Sequence, residues 1–148
     1  MKKILVFIKN KKNQLLALKG SDKDPQFHKS FWYTVTGAKE EIDKTLLETV
    51  KRELKEETNL EAKEILYLNW VLKYESLQQY CEEYVYICEV KDDRNIVLNE
   101  ENLEYKYLTL KEFIDKMKWY GDKTVLEKVL DKALKWENYF AQETITEM

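Results

Sequence analysis

Glu53, Glu56 and Glu57 stand at i, i+3 and i+4, so a helix drawn through them carries three carboxylates on one face. Beside them Leu47, Val50 and Leu54 form an apolar stripe that can bury the same helix. Such a helix must pack by one side while like charges crowd the next. Hard divalent cations offset that repulsion because they prefer oxygen ligands. Ions of this kind activate water or neutralise phosphate oxygens. A solvated acidic face, laced by Lys51 and Lys55, is the other reading of the same spacing.

The run Arg52-Glu53-Leu54-Lys55-Glu56-Glu57, with Leu60 beyond it and Gly37 ahead of it, resembles the Nudix hydrolase signature. The lead-in Phe31-Trp32-Tyr33-Thr34-Val35-Thr36-Gly37 is similar to the strand that precedes that signature. The resemblance implies an α/β fold, a Nudix-type α/β/α sandwich with a central mixed sheet, and a single domain over residues 1–148. It also implies Mg²⁺- or Mn²⁺-dependent cleavage of a nucleoside diphosphate linked to another group. The metal ligands it implies are Gly37, through its carbonyl, and Glu53, Glu56, Glu57 and Glu104. Glu53 or Glu104 would take the proton from water, with Glu101 the second choice after Glu104, and Arg52 would brace the acids and the loop before them.

Val35-Thr36-Gly37, where many relatives have Pro-Gly-Gly, and residues 119–126 look like the branch acting on nucleoside triphosphates and on the pterin triphosphate of folate synthesis. The expected reaction therefore releases a monophosphate and pyrophosphate. ADP-ribose, nucleotide sugars or dinucleoside polyphosphates are the alternative substrates. A non-catalytic nucleotide-binding module is the alternative from another class. Lysines such as Lys39 and Lys44 are candidates to meet the outer phosphate, and of Trp32 and Tyr33, which face opposite ways in one strand, one is expected in the core and one at the border of the ligand.

The loop ahead of the acidic helix departs from the family pattern. Counting back from Arg52, the usual glycine is Ala38 and the usual early acid is Lys44. Counting from Gly37 instead makes Asp43 the early acid and the loop one residue longer. Asp43 is expected to cap a helix over residues 44–58 or to support the site, and Lys44 is not expected to be a ligand. Asn59 stands where a glycine is usual, a mild change because Asn tolerates positive φ.

Composition limits the partners. With 148 residues, 44% hydrophobic and 36% charged, the chain can bury one sizeable core. A net charge of −3 supplies no polybasic drive towards nucleic acid. A small-molecule nucleotide is the expected ligand, with no membrane partner, and the protein is expected to be a monomer or homodimer. No apolar run approaches membrane-spanning length, and Met1-Lys2-Lys3 leads straight into a strand pattern, so a cytoplasmic location is expected. Cys81 and Cys88 are expected as free thiols, since their spacing puts them on opposite faces of a strand.

Along the chain, residues 4–8, 15–18, 31–36, 65–73, 80–90 and 105–108 read as strands. His28 lies in a polar loop over residues 19–30 and reads as surface. A short helix over residues 110–117 begins after Thr109, and a last helix is expected over residues 122–142. Four tryptophans and ten tyrosines exceed what stacking on one ring requires, so most serve core filling and cross-strand pairing.

Overall fold

The apolar run Ile4–Ile8 is buried on both sides because period-two alternation divides it. Ile4, Val6 and Ile8 enter one core, and Leu5 and Phe7 enter the other. The computed structural model describes residues 1–20 and 31–148; His28 lies outside them. Lys2–Lys9 (β1) forms the centre of an eight-stranded sheet among the described residues. It pairs in parallel with Gln79–Val90 (β6) and antiparallel with Leu15–Gly20 (β2) and Val35–Ala38 (β4). Trp32–Tyr33 (β3) and Asn102–Leu108 (β7) both pair with β2. Ala62–Ser76 (β5) pairs with β6, and Thr144–Glu147 (β8) adds to β5 in parallel.

The helix Leu46–Thr58 (α1) covers one face through Val50 and Leu54. Leu110–Lys116 (α2) and Lys123–Leu134 (α3) cover the other through Phe113, Ile114, Leu126, Val129 and Leu130. Two cores on either side of a mixed sheet make the expected α/β/α sandwich. Among the described residues no helix is long and apolar enough to cross a membrane. Both cysteines are buried and free, and burial pushes the Cys88 thiol up to about 12.

Several elements differ from the sequence reading, each for a local reason. The strand expected over residues 31–36 is two strands, split at Thr34, whose hydroxyl donates to the Val6 carbonyl at 2.6 Å. Gly37 lies inside β4 opposite Ile4 rather than ending a strand. Helix α1 starts later than expected. Thr45, not Asp43, is its N-cap and accepts from the Glu48 N–H, an interaction worth about 1 kcal/mol. Leu47 is 46% exposed, and Leu46 packs against that core in its place. Asn59 closes the helix at φ 66°, donating to the Lys55 carbonyl, as its tolerance of positive φ allows. The β5–β6 hairpin is longer than expected and turns at Leu77 and Gln78, both at positive φ. The last helix stops at Leu134, before Trp136 at φ 62°, and the chain returns as β8. Trp136 and Phe140 still pack on the core from the irregular segment, whereas Tyr139 is exposed.

Candidate active site

The acidic face of α1 lies against β4 and the start of β7. Glu57 is 5% exposed; its Oε1 accepts from Asn102 Nδ2 at 3.3 Å, and its Oε2 is buried with no partner among the described residues. Burial raises its pKa well above the usual carboxylate range, and the charges of Glu101 and Glu53 raise it further. Glu53 is raised as well, chiefly by burial, although the Arg52 charge opposes the shift. The charge of Glu53 therefore disfavours ionisation of Glu57, and a cation between them would relieve it. Glu56, the third acid, is turned outward: its side chain is 53% exposed, and Arg52 Nη1 lies 3.3 Å from its Oε2.

Gly37 is needed for close approach. Its φ is not positive, but a Cβ built there would collide with the Glu53 carboxylate. Any side chain at residue 37 would expel that carboxylate from the sheet edge.

Arg52 ties the loop to the helix. Its Nε lies 3.0 Å from Asp43 Oδ1, and its Nη2 lies 2.8 Å from Asp43 Oδ2 and 3.0 Å from the Ala38 carbonyl. Its Nη1 lies 3.0 Å from Glu53 Oε1. Asp43 is 3% exposed and also accepts from the Glu40 N–H and the Thr49 hydroxyl, both at 3.0 Å. The guanidinium holds the Asp43 carboxyl well below the usual range. Asp43 is thus the acid that organises this loop. Lys44 is exposed, and its N–H donates to Glu48.

The expected fourth acid is not brought here. Glu104 pairs with Lys19 across β7 and β2, the charges 3.8 Å apart. Lys106, two residues on, faces Trp32 on the α2–α3 side of the sheet, so Glu104 shares that side. A bulge at Leu103 then skips one residue: Lys19 opposes Glu104, but Gly20 opposes Asn102. The skip flips Asn102 to the α1 face, where it meets Glu57. The carboxylate whose charge reaches Glu57 is Glu101, the second choice. Sequence reasoning missed Asn102, and the bulge that positions it carries no composition signal.

Of the expected substrate contacts, the two aromatics pack on the sheet face away from the acids. Lys39 is exposed at the end of β4, and its N–H extends the pairing to the Lys2 carbonyl. Trp32 and Tyr33 both pack against the α2–α3 core rather than dividing between core and ligand. Trp32 lies beneath Lys106 and Lys116, and Tyr33 stacks on Trp119 with ring centroids 6.5 Å apart.

Among the described residues no group of three or more His, Cys, Asp or Glu side chains already stands in a metal-holding arrangement. The donors nonetheless suit a hard divalent cation. A buried Glu57 oxygen lacks a partner, and both Glu57 and Glu53 are pushed towards protonation, Glu53 in spite of Arg52.

Compared with known protein families, the chain matches the NUDIX domain over residues 1–129. No curated protein matches it. Among solved structures, a MutT protein from Methanosarcina mazei is 20% identical, with 91% of this chain and 95% of that one covered at a TM-score of 0.73. The Escherichia coli dihydroneopterin triphosphate pyrophosphohydrolase is 24% identical, covering 88% and 94% at 0.67. A Caenorhabditis elegans Ap4A hydrolase is 18% identical, covering 91% and 96% at 0.69. At these identities the likeness is one of fold.

Proposed function

The chain belongs to the NUDIX domain family of phosphoanhydride hydrolases, and from that premise we propose that it cleaves a nucleoside triphosphate or close analogue to a monophosphate and pyrophosphate. The observation that carries the reading is the Glu53–Glu57 pair, with the unpartnered Glu57 Oε2, beneath a glycine that leaves room for it. Glu53 and Glu57 would hold Mg²⁺ or Mn²⁺, with Glu56 and the Gly37 carbonyl as further oxygen donors. The bound ion supplies charge neutralisation for the phosphates and acidifies water.

The remaining work falls to the chain. Arg52 fixes Glu53 through Oε1, which leaves Oε2 to take the proton of the attacking water. Asn102 orients Glu57. Arg52 and Asp43 hold the loop at Ala38, so Lys39 beside it is presented to the outer phosphate. Glu101 adds negative charge near Glu57 and strengthens the pull on a cation. The triphosphate preference draws support from Val35-Thr36-Gly37 and from the fold shared with a dihydroneopterin triphosphate pyrophosphohydrolase.

A substrate panel with Mg²⁺ tests this: canonical and oxidised nucleoside triphosphates, dihydroneopterin triphosphate, ADP-ribose and diadenosine polyphosphates, with products resolved by chromatography. The expected result is pyrophosphate release with the highest kcat/KM on a triphosphate. A hundredfold preference for ADP-ribose or a dinucleoside polyphosphate, about 2.7 kcal/mol of discrimination, would overturn it.

A further inference from the structure

The turn that brings Asn102 and Glu101 to Glu57 is built by a residue that the chemistry above does not use. Asn99 opens it. The Asn99 carbonyl accepts from the Asn102 N–H at 3.3 Å, and its Oδ1 accepts from the Glu101 N–H at 3.0 Å. Asn suits the first position of a turn because its short side chain bonds the main chain two residues on. Its Nδ2 also stands 3.4 Å from Glu101 Oε2. One side chain thus holds both the main chain and the carboxylate of Glu101.

The chain is fastened on either side of this turn. Upstream, residues 91–98 run along the end of α1. The Lys91 N–H donates to the Glu61 carbonyl and the Val97 N–H to the Thr58 carbonyl, both at 3.0 Å. Asn59 Nδ2 donates to the Asn95 carbonyl at 3.3 Å. Ile96 and Leu98 pack against the core beneath α1. Downstream, Asn102 enters β7 opposite Gly20. Only residues 99–101 separate these two anchors, so their conformation decides where Glu101 and Asn102 stand.

Both groups depend on that conformation. Glu101 is exposed, and its charge adds to the effect of burial on Glu57. Like charges repel, and an exposed carboxylate is well solvated away from them, so a Glu101 without its tether would swing outward. Asn102 reaches Glu57 Oε1 at 3.3 Å, at the long end of a hydrogen bond. A small shift of the turn would break it.

We propose that Asn99 is a positioning residue for the acidic face of α1, its turn holding Asn102 and Glu101 against Glu57 so that this carboxylate is set in place before a divalent cation arrives. The inference rests on the metal reading above. Groups that orient a ligand from behind alter metal affinity by about ten- to a hundredfold. Asn99 acts one step further back, through two such groups at once.

Calorimetric titration of the full chain with Mn²⁺ tests this. Asn99→Ala should raise the Kd about tenfold. Asn99→Ser, which keeps a weaker acceptor for the turn, should recover part of that loss. In a Glu101→Gln, Asn102→Ala background, Asn99→Ala should change the Kd by less than about twofold, because the groups it positions are gone. An equal loss in both backgrounds would mark Asn99 as merely structural and overturn the proposal. An unchanged Kd in Asn99→Ala would overturn it too, as would a wild type that binds no Mn²⁺. If Asn99→Ala fails to fold, Asn99→Gly, which also lacks the acceptor, decides by the same criterion. The titration needs no turnover, so it separates the two readings. Asn99-dependent Mn²⁺ affinity in a protein that cleaves no triphosphate keeps this inference and defeats the proposed reaction. Triphosphate cleavage with a Kd indifferent to Asn99 does the reverse.

Discussion

Arg52 donates to both oxygens of Asp43, Nη2 to Oδ2 at 2.8 Å and Nε to Oδ1 at 3.0 Å, while the same guanidinium reaches Glu53. One side chain thus couples the position of the loop to the position of the acid. Lysine offers a point charge rather than a planar fork, so Arg52→Lys should lower kcat/KM by about a hundredfold, ~2.7 kcal/mol, with the circular dichroism spectrum intact. Steady-state kinetics on the preferred triphosphate checks it; a loss below threefold would show that the fork does not position Glu53.

The Asp43 pKa is depressed by Arg52, so its contribution to stability is present above the unfolded value, near 3.9, and is lost as pH falls through the lower folded value. Asp43→Asn should therefore melt below the wild type at pH 7, and the two curves should converge in strong acid. A gap that persists below the folded value would assign the effect to lost packing instead.

Glu57 shifts the other way. Its folded pKa is raised, so the cost of its charge is absent below the unfolded value, grows as pH rises from there to the folded value, and is constant above it. In chelator, Glu57→Gln should melt above the wild type, by a margin that widens from about pH 4 upward, while activity with Mg²⁺ falls at least about a hundredfold. Thermal melts across pH and a rate assay read both. A variant less stable than the wild type at pH 8 would mean that Glu57 is well compensated without metal.

Tyr107 buries its hydroxyl on the α1 face with no partner among the described residues. Removing an unsatisfied buried group should help, so Tyr107→Phe should gain about 1 kcal/mol in urea denaturation. A loss of that size would show that a water or ligand satisfies the oxygen.

Lys44 is exposed, and its described contact is through the main chain to Glu48. Lys44→Ala should leave kcat within tenfold, an allowance of about 1.4 kcal/mol. A thousandfold fall would make the side chain part of the reaction.

The central strands and α1 were legible in the sequence because their burial follows a period. Ile4–Ile8 divides its side chains between two cores, and Val50 and Leu54 share one helix face. The end of α3 was not legible, since Trp136 and Phe140 pack on the core from an irregular segment and imitate continued helix. Within the site, the i, i+3, i+4 spacing located Glu53 and Glu57 but could not show that the Glu56 side chain is 53% exposed beside Arg52. Glu104 lies away from the other acids for a sharper reason. A single bulged residue reverses which side of β7 faces the helix, and nothing in the local residue types announces it. Asp43 looked like a cap because it is an Asp shortly before a helix; its bonds to Arg52 span nine positions, beyond what a local pattern reports.

The most direct measurement is calorimetric titration of the full chain with Mn²⁺, comparing the wild type with the Glu53→Gln, Glu57→Gln double variant. Two acids that are pushed towards protonation and an orphaned oxygen should bind the ion in the wild type with proton release. The double variant should lose that binding while remaining folded. Unchanged Mn²⁺ affinity in the double variant would contradict the assignment of this helix face as the metal site.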